Sequence, residues 1–296
     1  MAKKLQGVFA VLVTPFTKDD RIDEKTLRKH IRYLVDVGKV HGIIPTGSTG
    51  ECAALSDEER MLVADITISE VDKALPVVVG TSAASTKGAI RFSQYAQKIG
   101  ADGVLTLPGY YSHPDPREIY EHYKTLSKNI DIPIMVYNNP GPSGVDMKPE
   151  LIAKLAEFDN ISYIKESTGD MTRVAAIQRL CGDKITVFCG CDALSLEMFL
   201  MGAAGWVAPP ANIIPKQCNQ LFELGYVKKD ITKAKQLYLK LLPLFSLFES
   251  SGQYVQLTKA GLGILGKPYG EPRKPLLPPD KALLNQFKKI LDDILK

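Results

Sequence analysis

The stretch ISYIKESTGDMTRVAAIQRLCGDKITVFCG, residues 161–190, contains a strand, a helix and a second strand. Residues 161–165 and 185–190 are rich in Ile, Val, Phe and Tyr, which favour extended structure. Between them, Asp170 can cap a helix that ends at Gly182. Two apolar strands joined by a helix are typical of a parallel sheet with both faces covered. The stretch therefore predicts one βαβ unit.

The same alternation of apolar strand and helix runs through the first three quarters of the chain. Asp23 precedes one helical pattern, and Ser56 with Glu59 forms a capping box ahead of another. The eight strand-like runs lie at residues 7–13, 42–46, 76–82, 103–108, 132–138, 161–165, 185–190 and 205–210. Eight such repeats predict an α/β fold, a (β/α)8 TIM barrel. The alternative, a doubly wound open sheet, would place a nucleotide-binding glycine motif after the first strand, where this sequence has none.

After residue 222 the strand-like runs stop and three helical patterns follow. They cover residues 228–252, 254–266 and 280–296, and we expect a bend at Pro243 in the first of them. The sequence therefore predicts two parts: a catalytic barrel over residues 1–222 and a C-terminal helical domain over residues 223–296.

The composition is ordinary for a globular protein, with 45% hydrophobic and 24% charged residues among 296. The net charge of +4 is spread along the chain without a basic block, which argues against nucleic-acid binding. No apolar run approaches the roughly 18 residues of a membrane span, and the apolar N-terminus reads better as a first strand than as a signal peptide. The five cysteines are odd in number, so we expect free thiols and a cytoplasmic location.

Lys165 ends a strand that otherwise reads as core. The active site of a (β/α)8 barrel lies at the C-terminal ends of its strands, so this amine is expected at the barrel mouth. There it would lose hydration, which favours the neutral amine that attacks carbonyl groups. The alternative is a lysine that pairs with Glu166 or turns to solvent. Because adjacent strand residues point to opposite faces, Glu166 is poorly placed for that pair.

Two other strand ends carry groups that could take part in chemistry. The loop GSTGE, residues 47–51, could hold a small carboxylate with its hydroxyls and backbone N–H groups, or could be an ordinary turn with a helix cap. Tyr137 could relay protons beside an amine, or could be a packed ring with a satisfied hydroxyl. None of the four histidines has metal-ligand spacing, which argues against metal catalysis.

Three motifs in order along the chain resemble one enzyme family. GSTGE (47–51), YNNPG (137–141) and YIKES (163–167) are similar to the dihydrodipicolinate synthase/N-acetylneuraminate lyase family of class I aldolases. The likeness covers nearly the whole chain, including the helical tail. It implies that Lys165 forms a Schiff base with pyruvate or another 2-oxo acid, and that no further cofactor is needed.

The resemblance also implies roles for the surrounding residues. Tyr137 would relay protons, and Tyr111 would reach the site from a neighbouring subunit, linked to Tyr137 through Thr49 or Ser48. The expected assembly is a homotetramer, a dimer of dimers, that acts on a small molecule. The positions implied to bind substrate are Gly47, Ser48, Thr49, Gly190 and Val207.

Pro142 bears on which member of the family this chain is. Dihydrodipicolinate synthases typically carry at this position an arginine that binds the carboxylate of the second substrate, which proline cannot do. The leading hypothesis is therefore a catabolic lyase for a 2-keto-3-deoxy-type acid or a hydroxyproline-derived pyrroline carboxylate. The alternatives are a synthase that condenses pyruvate with aspartate semialdehyde in lysine biosynthesis, and a non-catalytic paralogue that binds a 2-oxo acid.

Overall fold

A computed structural model of the chain describes residues 4–296 and shows eight parallel strands in one closed sheet. The strands are β1 (Gly7–Val11), β2 (Gly42–Ile44), β3 (Val78–Gly80), β4 (Gly103–Thr106), β5 (Ile134–Asn138), β6 (Ile161–Glu166), β7 (Thr186–Cys189) and β8 (Gly205–Ala208). Their order is β2-β1-β8-β7-β6-β5-β4-β3. The seam between β2 and β3 is closed by a parallel bridge between Ile43 and Val77 and by Gly80 N–H donating to Pro45 O at 3.0 Å. The predicted TIM barrel is confirmed.

Helices cover the outside of the barrel. They are α1 (Glu24–Arg32), α2 (Asp57–Val71), α3 (Thr86–Lys98), α4 (Pro116–Ser127), the short α5 (Pro140–Ser143), α6 (Pro149–Leu155), α7 (Thr172–Cys181), α8 (Ser195–Leu200), α9 (Pro215–Phe222), α10 (Ile231–Ser251), α11 (Tyr254–Ile264) and α12 (Lys281–Leu295). The caps predicted at Asp23 and Ser56 are confirmed, since each side chain accepts a backbone hydrogen bond in the first turn. Asp170 also accepts from Thr172 N–H at 2.9 Å, although α7 begins one residue later than a cap at Asp170 requires.

The barrel interior is filled by large buried side chains. Phe9 and Phe188 meet edge to face, with ring centroids 5.3 Å apart. Each ring lies against a glycine of a neighbouring strand, Gly42 and Gly205, where a Cβ would overlap it. At the N-terminal end the Tyr163 hydroxyl accepts from Leu5 N–H at 3.1 Å. Burial of each of these rings contributes about 1.5–3 kcal/mol.

The C-terminal helices pack against the barrel helices and against each other. Phe245 of α10 meets Trp206 of β8 edge to face, with centroids 5.3 Å apart, and Phe248 meets Phe287 of α12 at 6.1 Å. α10 runs as one helix through Pro243. The division of the chain at residue 222 stays a prediction, because α9 ends there but α10 shares this apolar packing. Within residues 4–296, no helix is long and apolar enough to cross a bilayer.

Candidate active site

A cavity of about 390 Å³ opens at the C-terminal end of the strands. Its walls come from the loops after β2, β5, β6, β7 and β8 and from the junction of α10 with α11. The lining residues are Ser48, Thr49, Tyr137, Asn139, Pro142, Lys165, Ser167, Gly190, Cys191, Pro209, Glu249, Gly252, Tyr254, Val255, Gln256 and Leu276. Among these, the charged side chains are Lys165 and Glu249. Four of the predicted site residues besides Lys165 line it: Ser48, Thr49, Tyr137 and Gly190.

Lys165 is held at the cavity wall by β6. The residue is 7% exposed, and its Nζ lies 4.0 Å from the centroid of the Tyr137 ring on the paired strand β5. The neighbouring Glu166 points away, since it accepts hydrogen bonds from Asn138 Nδ2 at 3.1 Å and from Thr168 N–H at 2.8 Å. No carboxylate of residues 4–296 lies within 4.0 Å of Lys165 Nζ, so the alternative ion pair with Glu166 does not form.

Burial shifts the pKa of two groups near the Lys165 amine. It raises the pKa of the Glu166 carboxyl, with its hydrogen bonds to Thr168 and Asn138 acting the other way. It also raises the pKa of the Cys191 thiol at the cavity wall to about 12. A thiol with such a pKa stays protonated near neutral pH and is a poor nucleophile. Lys165 is therefore the better-placed nucleophile of the two.

Gly190 makes room for the Lys165 side chain. A Cβ at this position would stand 2.8 Å from Glu166 O and 3.0 Å from Lys165 Cε, and would overlap the Ser167 hydroxyl. The end of β7 can therefore approach the end of β6 only because residue 190 has no side chain. The Ser167 hydroxyl, brought close to Lys165 in this way, is buried without a hydrogen-bond partner in residues 4–296.

The loop after β2 is a tight turn between two strained residues. Ser48–Gly50 form one turn of 3-10 helix, with Thr49 7% exposed and Ser48 facing outward into the cavity mouth. Thr46 before it and Glu51 after it both have positive φ, +55° and +60°. Such a conformation costs roughly 1–3 kcal/mol for each non-glycine residue. The turn does not cap a helix, because α2 has its own cap at Ser56. A Cβ at Gly47 would stand 3.0 Å from Val11 Cγ1, so this position has little room for a side chain.

Tyr137 presents its hydroxyl to the cavity. The ring is 5% exposed and lies against Lys165, while the hydroxyl accepts from Asn139 Nδ2 at 2.9 Å. The expected link from Tyr137 through Thr49 to Tyr111 is not formed within the described chain. Tyr111 is 87% exposed and lies outside the cavity. Val207 is fully buried in the barrel interior beside Tyr137 rather than at the cavity wall.

Part of the cavity wall comes from the C-terminal helices, which the sequence patterns did not connect with the site. Glu249 lies in the last turn of α10, and Tyr254 and Gln256 lie in the first turn of α11. Burial, together with the negative charges of Asp192 and Glu249, raises the pKa of the Tyr254 hydroxyl. Helical periodicity shows which face of a helix is apolar, but not which strand end that face meets. Among residues 4–296, no three His, Cys, Asp or Glu side chains are grouped to hold a metal ion.

Comparisons with known proteins agree with one another. A sequence model of the dihydrodipicolinate synthetase family matches residues 4–294. A 4-hydroxy-tetrahydrodipicolinate synthase of Thermodesulfovibrio yellowstonii is 40% identical over 271 residues, 92% of each chain. The protein of that name from Geotalea daltonii is 36% identical over 97% of this chain and 98% of its own. The crystal structure of the chloride-inhibited dihydrodipicolinate synthase of Acinetobacter baumannii with pyruvate superposes with a TM-score of 0.94 at 32% identity, covering 98% of this chain and 99% of that one.

Proposed function

Because the chain belongs to the dihydrodipicolinate synthetase family of class I aldolases, we propose that Lys165 forms a Schiff base with pyruvate or another 2-oxo acid. The observation that carries this proposal is the Lys165 amine, buried at the cavity wall over the Tyr137 ring with no carboxylate within 4.0 Å. This placement leaves the amine free to meet the carbonyl carbon of a substrate in the cavity. A lysine amine in such a position can form a Schiff base with that carbonyl.

The reaction needs only groups that face the cavity. The Lys165 amine adds to C2 of the 2-oxo acid and, with a proton taken up from solvent, water leaves, which gives a protonated imine. The Tyr137 oxygen takes the proton from C3 while its own hydroxyl proton passes to water in the cavity, and the reverse transfer returns a proton to C3. The electron pair of the C3–H bond moves to the imine nitrogen, and an enamine results. Ser48 and Thr49 hold the substrate carboxylate by hydroxyl and backbone N–H groups. The imine is the electron sink, so no separate cofactor enters the proposal.

The enamine can react in either direction at C3. It forms a carbon–carbon bond when C3 attacks the carbonyl carbon of an aldehyde, whose oxygen then takes a proton. In reverse, a hydroxyl at C4 loses its proton, the C3–C4 bond breaks and its electron pair returns to the imine. A leaving group on the substrate chain allows elimination of water or ammonia through the same intermediate.

For the second substrate, Pro142 at the cavity rim supports the catabolic assignment. A lyase for a 2-keto-3-deoxy-type acid or a hydroxyproline-derived pyrroline carboxylate requires no arginine there. The other charged lining residue, Glu249, is an acid and would repel a second carboxylate.

A second candidate is the condensation of pyruvate with aspartate semialdehyde, and the relatives favour it. Proteins 36–40% identical over more than nine tenths of this chain are named 4-hydroxy-tetrahydrodipicolinate synthase. The two candidates share the imine at Lys165 and differ in the group that approaches past Pro142.

Assembly and location are also part of the proposal. The exposed Tyr111 supports an oligomer in which the partner subunit's Tyr111 completes the site, within a homotetramer built from two such dimers. We place the enzyme in the cytoplasm on the strength of its five unpaired thiols.

Trapping with borohydride tests the imine directly. The enzyme is incubated with pyruvate, reduced, digested and mapped by mass spectrometry. The expected adduct lies on Lys165 and disappears in Lys165→Met. Lys259 is a matched internal control, because it is an equally buried lysine that is paired with Glu51 and does not line the cavity. Absence of an adduct on Lys165, or an equal adduct on Lys259, would overturn the proposal.

A further inference from the structure

We propose that the C-terminal segment positions the Ser48–Thr49 turn for the substrate carboxylate, acting through a buried ion pair between Glu51 and Lys259 and through Arg273. This inference rests on the proposed function, in which that turn binds the carboxylate. Lys259 and Arg273 do not line the cavity that holds Lys165, so they are positioning residues rather than catalytic ones.

The Ser48–Thr49 turn lies between two strained residues and needs contacts from other segments to keep its conformation. Thr46 and Glu51 bracket it, and both adopt a left-handed backbone conformation that side chains other than glycine disfavour. The barrel fixes Thr46, since the Thr46 hydroxyl donates to Gly80 O of β3 at 2.8 Å. Gly50 is held as well, because its carbonyl accepts from the Thr14 hydroxyl at 2.8 Å. The other strained residue, Glu51, is fixed by residues of the C-terminal segment.

Glu51 is fixed through both carboxylate oxygens. Its Oε1 lies 2.6 Å from Lys259 Nζ of α11, and its Oε2 accepts from Arg273 N–H at 2.7 Å. The Glu51 and Lys259 side chains are 1% and 2% exposed, so water does not compete for this pair. Lys259 Nζ also donates to Glu271 O at 3.1 Å and lies 4.2 Å from the centroid of the Phe16 ring. The ammonium group is therefore fixed in one place by two further residues besides Glu51.

Arg273 joins the far end of the same loop to this pair. Its guanidinium donates to both Glu59 oxygens at 2.6 Å, to Ala54 O at 2.9 Å and to Asp20 Oδ1 at 2.9 Å. Glu59 is the capping-box residue of α2, so the guanidinium connects the start of that helix to the loop. The loop between the turn and α2 is thus tied at Glu51, Ala54 and Glu59 to one short C-terminal segment.

These contacts leave the reactive amine untouched. Lys165 is held by β5, β6 and β7, none of which contacts Lys259 or Arg273 by a hydrogen bond or ion pair in residues 4–296. Removal of the Glu51–Lys259 pair should therefore weaken carboxylate recognition more than imine chemistry. Small displacements of substrate-binding groups cause large losses of rate. A comparison of one ligand that has a carboxylate with one that lacks it should therefore reveal whether the turn has moved.

The contrast compares pyruvate with pyruvamide, which keeps the reactive ketone and has a neutral amide in place of the carboxylate. Rates of borohydride trapping on Lys165 are measured for both compounds in the full-length enzyme. The variants are Lys259→Met, Glu51→Gln and the double variant of the two. Lys184→Met, which breaks an exposed ion pair with Glu157 at 2.9 Å, serves as the matched control.

The quantity compared is the ratio of the trapping rate for pyruvate to that for pyruvamide. We expect this ratio to be above one and equal in wild type and Lys184→Met. Each single variant should lower that ratio about tenfold or more and should also lower the unfolding temperature, because each leaves one buried charge unpaired. The double variant removes both charges of the Glu51–Lys259 pair and leaves neither unpaired, so its unfolding temperature should recover while the ratio stays low. Where a single variant fails to fold, the double variant alone supplies the measurement.

Recovery of both stability and ratio in the double variant would overturn the inference, because the pair would then be structural only. An unchanged ratio in the single variants would overturn it too. A wild type that traps both compounds equally would show that the turn does not recognise a carboxylate. Failure of wild type to trap either compound would instead refute the proposed function, so the two failures are distinguishable.

Discussion

Tyr137 stands next to the Lys165 amine, and we expect its hydroxyl to move the proton at C3 of the bound 2-oxo acid. Tyr137→Phe should slow the exchange of the pyruvate methyl protons in D2O by about 100- to 10,000-fold, the usual worth of a positioned acid–base group. Exchange followed by NMR requires no second substrate, and borohydride trapping on Lys165 should persist. The matched control is Tyr123→Phe, which removes a buried hydroxyl that donates to Thr106 O outside the cavity. Unchanged exchange in Tyr137→Phe would remove Tyr137 from the proton path.

A second prediction concerns Gly190, and its physical basis is a steric clash. In Gly190→Ala the new methyl group must displace Glu166 O or Lys165 Cε, both within 3.0 Å of it, so kcat/KM for pyruvate exchange should fall at least tenfold. Gly263→Ala is the matched control, because a Cβ there meets nothing within 4 Å and lies in α11. That control should keep full activity and gain slightly in stability. Full activity in Gly190→Ala would mean that the Lys165 side chain tolerates displacement.

Pro142 decides between the two candidate second substrates. In Pro142→Arg, a guanidinium at the cavity rim can pair with the carboxylate of aspartate semialdehyde. We expect kcat/KM for that aldehyde with pyruvate to rise about 10- to 100-fold, which corresponds to about 1.5–3 kcal/mol for a hydrogen bond to a charged group. Pro142→Gln, whose polar side chain is neutral and shorter, should gain much less. A wild-type enzyme that already uses aspartate semialdehyde efficiently would favour the synthase instead.

At the residue level, the sequence identified side chains that carry their own chemical signature. Lys165 stood out as a cation that ends an apolar strand, and Ser48 and Thr49 as hydroxyls between glycines. Ser167, Glu249 and Tyr254 could not be found in this way, because a serine after a strand or a glutamate at a helix end is common. Their place at the cavity wall depends on how distant segments pack. The roles of all these residues stay predictions until the variants are measured.

At the scale of elements, α1 is linked to the loop after β8 by a buried histidine. Asn212 donates to Val11 O at 2.7 Å and to Pro209 O at 2.8 Å, so its Oδ1 is free to accept from His30 Nε2 at 3.0 Å. Burial lowers the pKa of His30 to about 4 from the usual 6.5, with the Asn212 hydrogen bond acting against this. The folded protein therefore keeps His30 neutral where the unfolded chain would protonate it.

This linkage predicts the direction of the pH dependence. Between pH 6.5 and about 4 the unfolded state binds a proton at His30 and the folded state does not, so stability falls as the pH falls. The full effect is about 3 kcal/mol. His30→Gln, which cannot take up a proton, should show a smaller decline in the free energy of unfolding by urea over this range. The two proteins compared at pH 8, where His30 is neutral in both states, give the packing cost of the substitution. An equal decline in both would rule out His30 as a source.

Helix starts were predictable where the cap is local in sequence and less so where it is not. Ser56 with Glu59, and Asp23, satisfy backbone donors within three residues, so the pattern alone fixes those starts. α3 begins at Thr86, directly after Ser85, whose hydroxyl accepts from Gly88 N–H. α10 continues through Pro243 because buried neighbours on both sides, Leu241 and Leu244, hold the helix against the barrel.

For the whole molecule, the barrel was predictable because each of its units is local. A strand, a helix and the turn between them are coded within about 30 residues, and eight copies close on themselves. The contacts that complete the site are not local: Glu51 meets Lys259 and Arg273 more than 200 residues away. Contacts between subunits are harder still to predict from local sequence patterns. The expected contact of Tyr111 with a partner subunit can be tested directly.

Mixing two inactive enzymes tests whether Tyr111 acts across subunits. Lys165→Met lacks the amine, and we expect Tyr111→Phe to lose most of its activity because the partner's proton relay is broken. In a mixed dimer, one site combines an intact Lys165 with an intact Tyr111 of the partner subunit. After equal amounts are unfolded together and refolded, random pairing should restore about a quarter of the wild-type activity per chain. If Tyr111 instead serves its own chain, every site in the mixture lacks one group and activity stays at the level of the separate variants. Size-exclusion chromatography of each sample shows whether subunits have assembled, so a monomeric mixture without activity would refute the proposed assembly rather than the exchange of Tyr111.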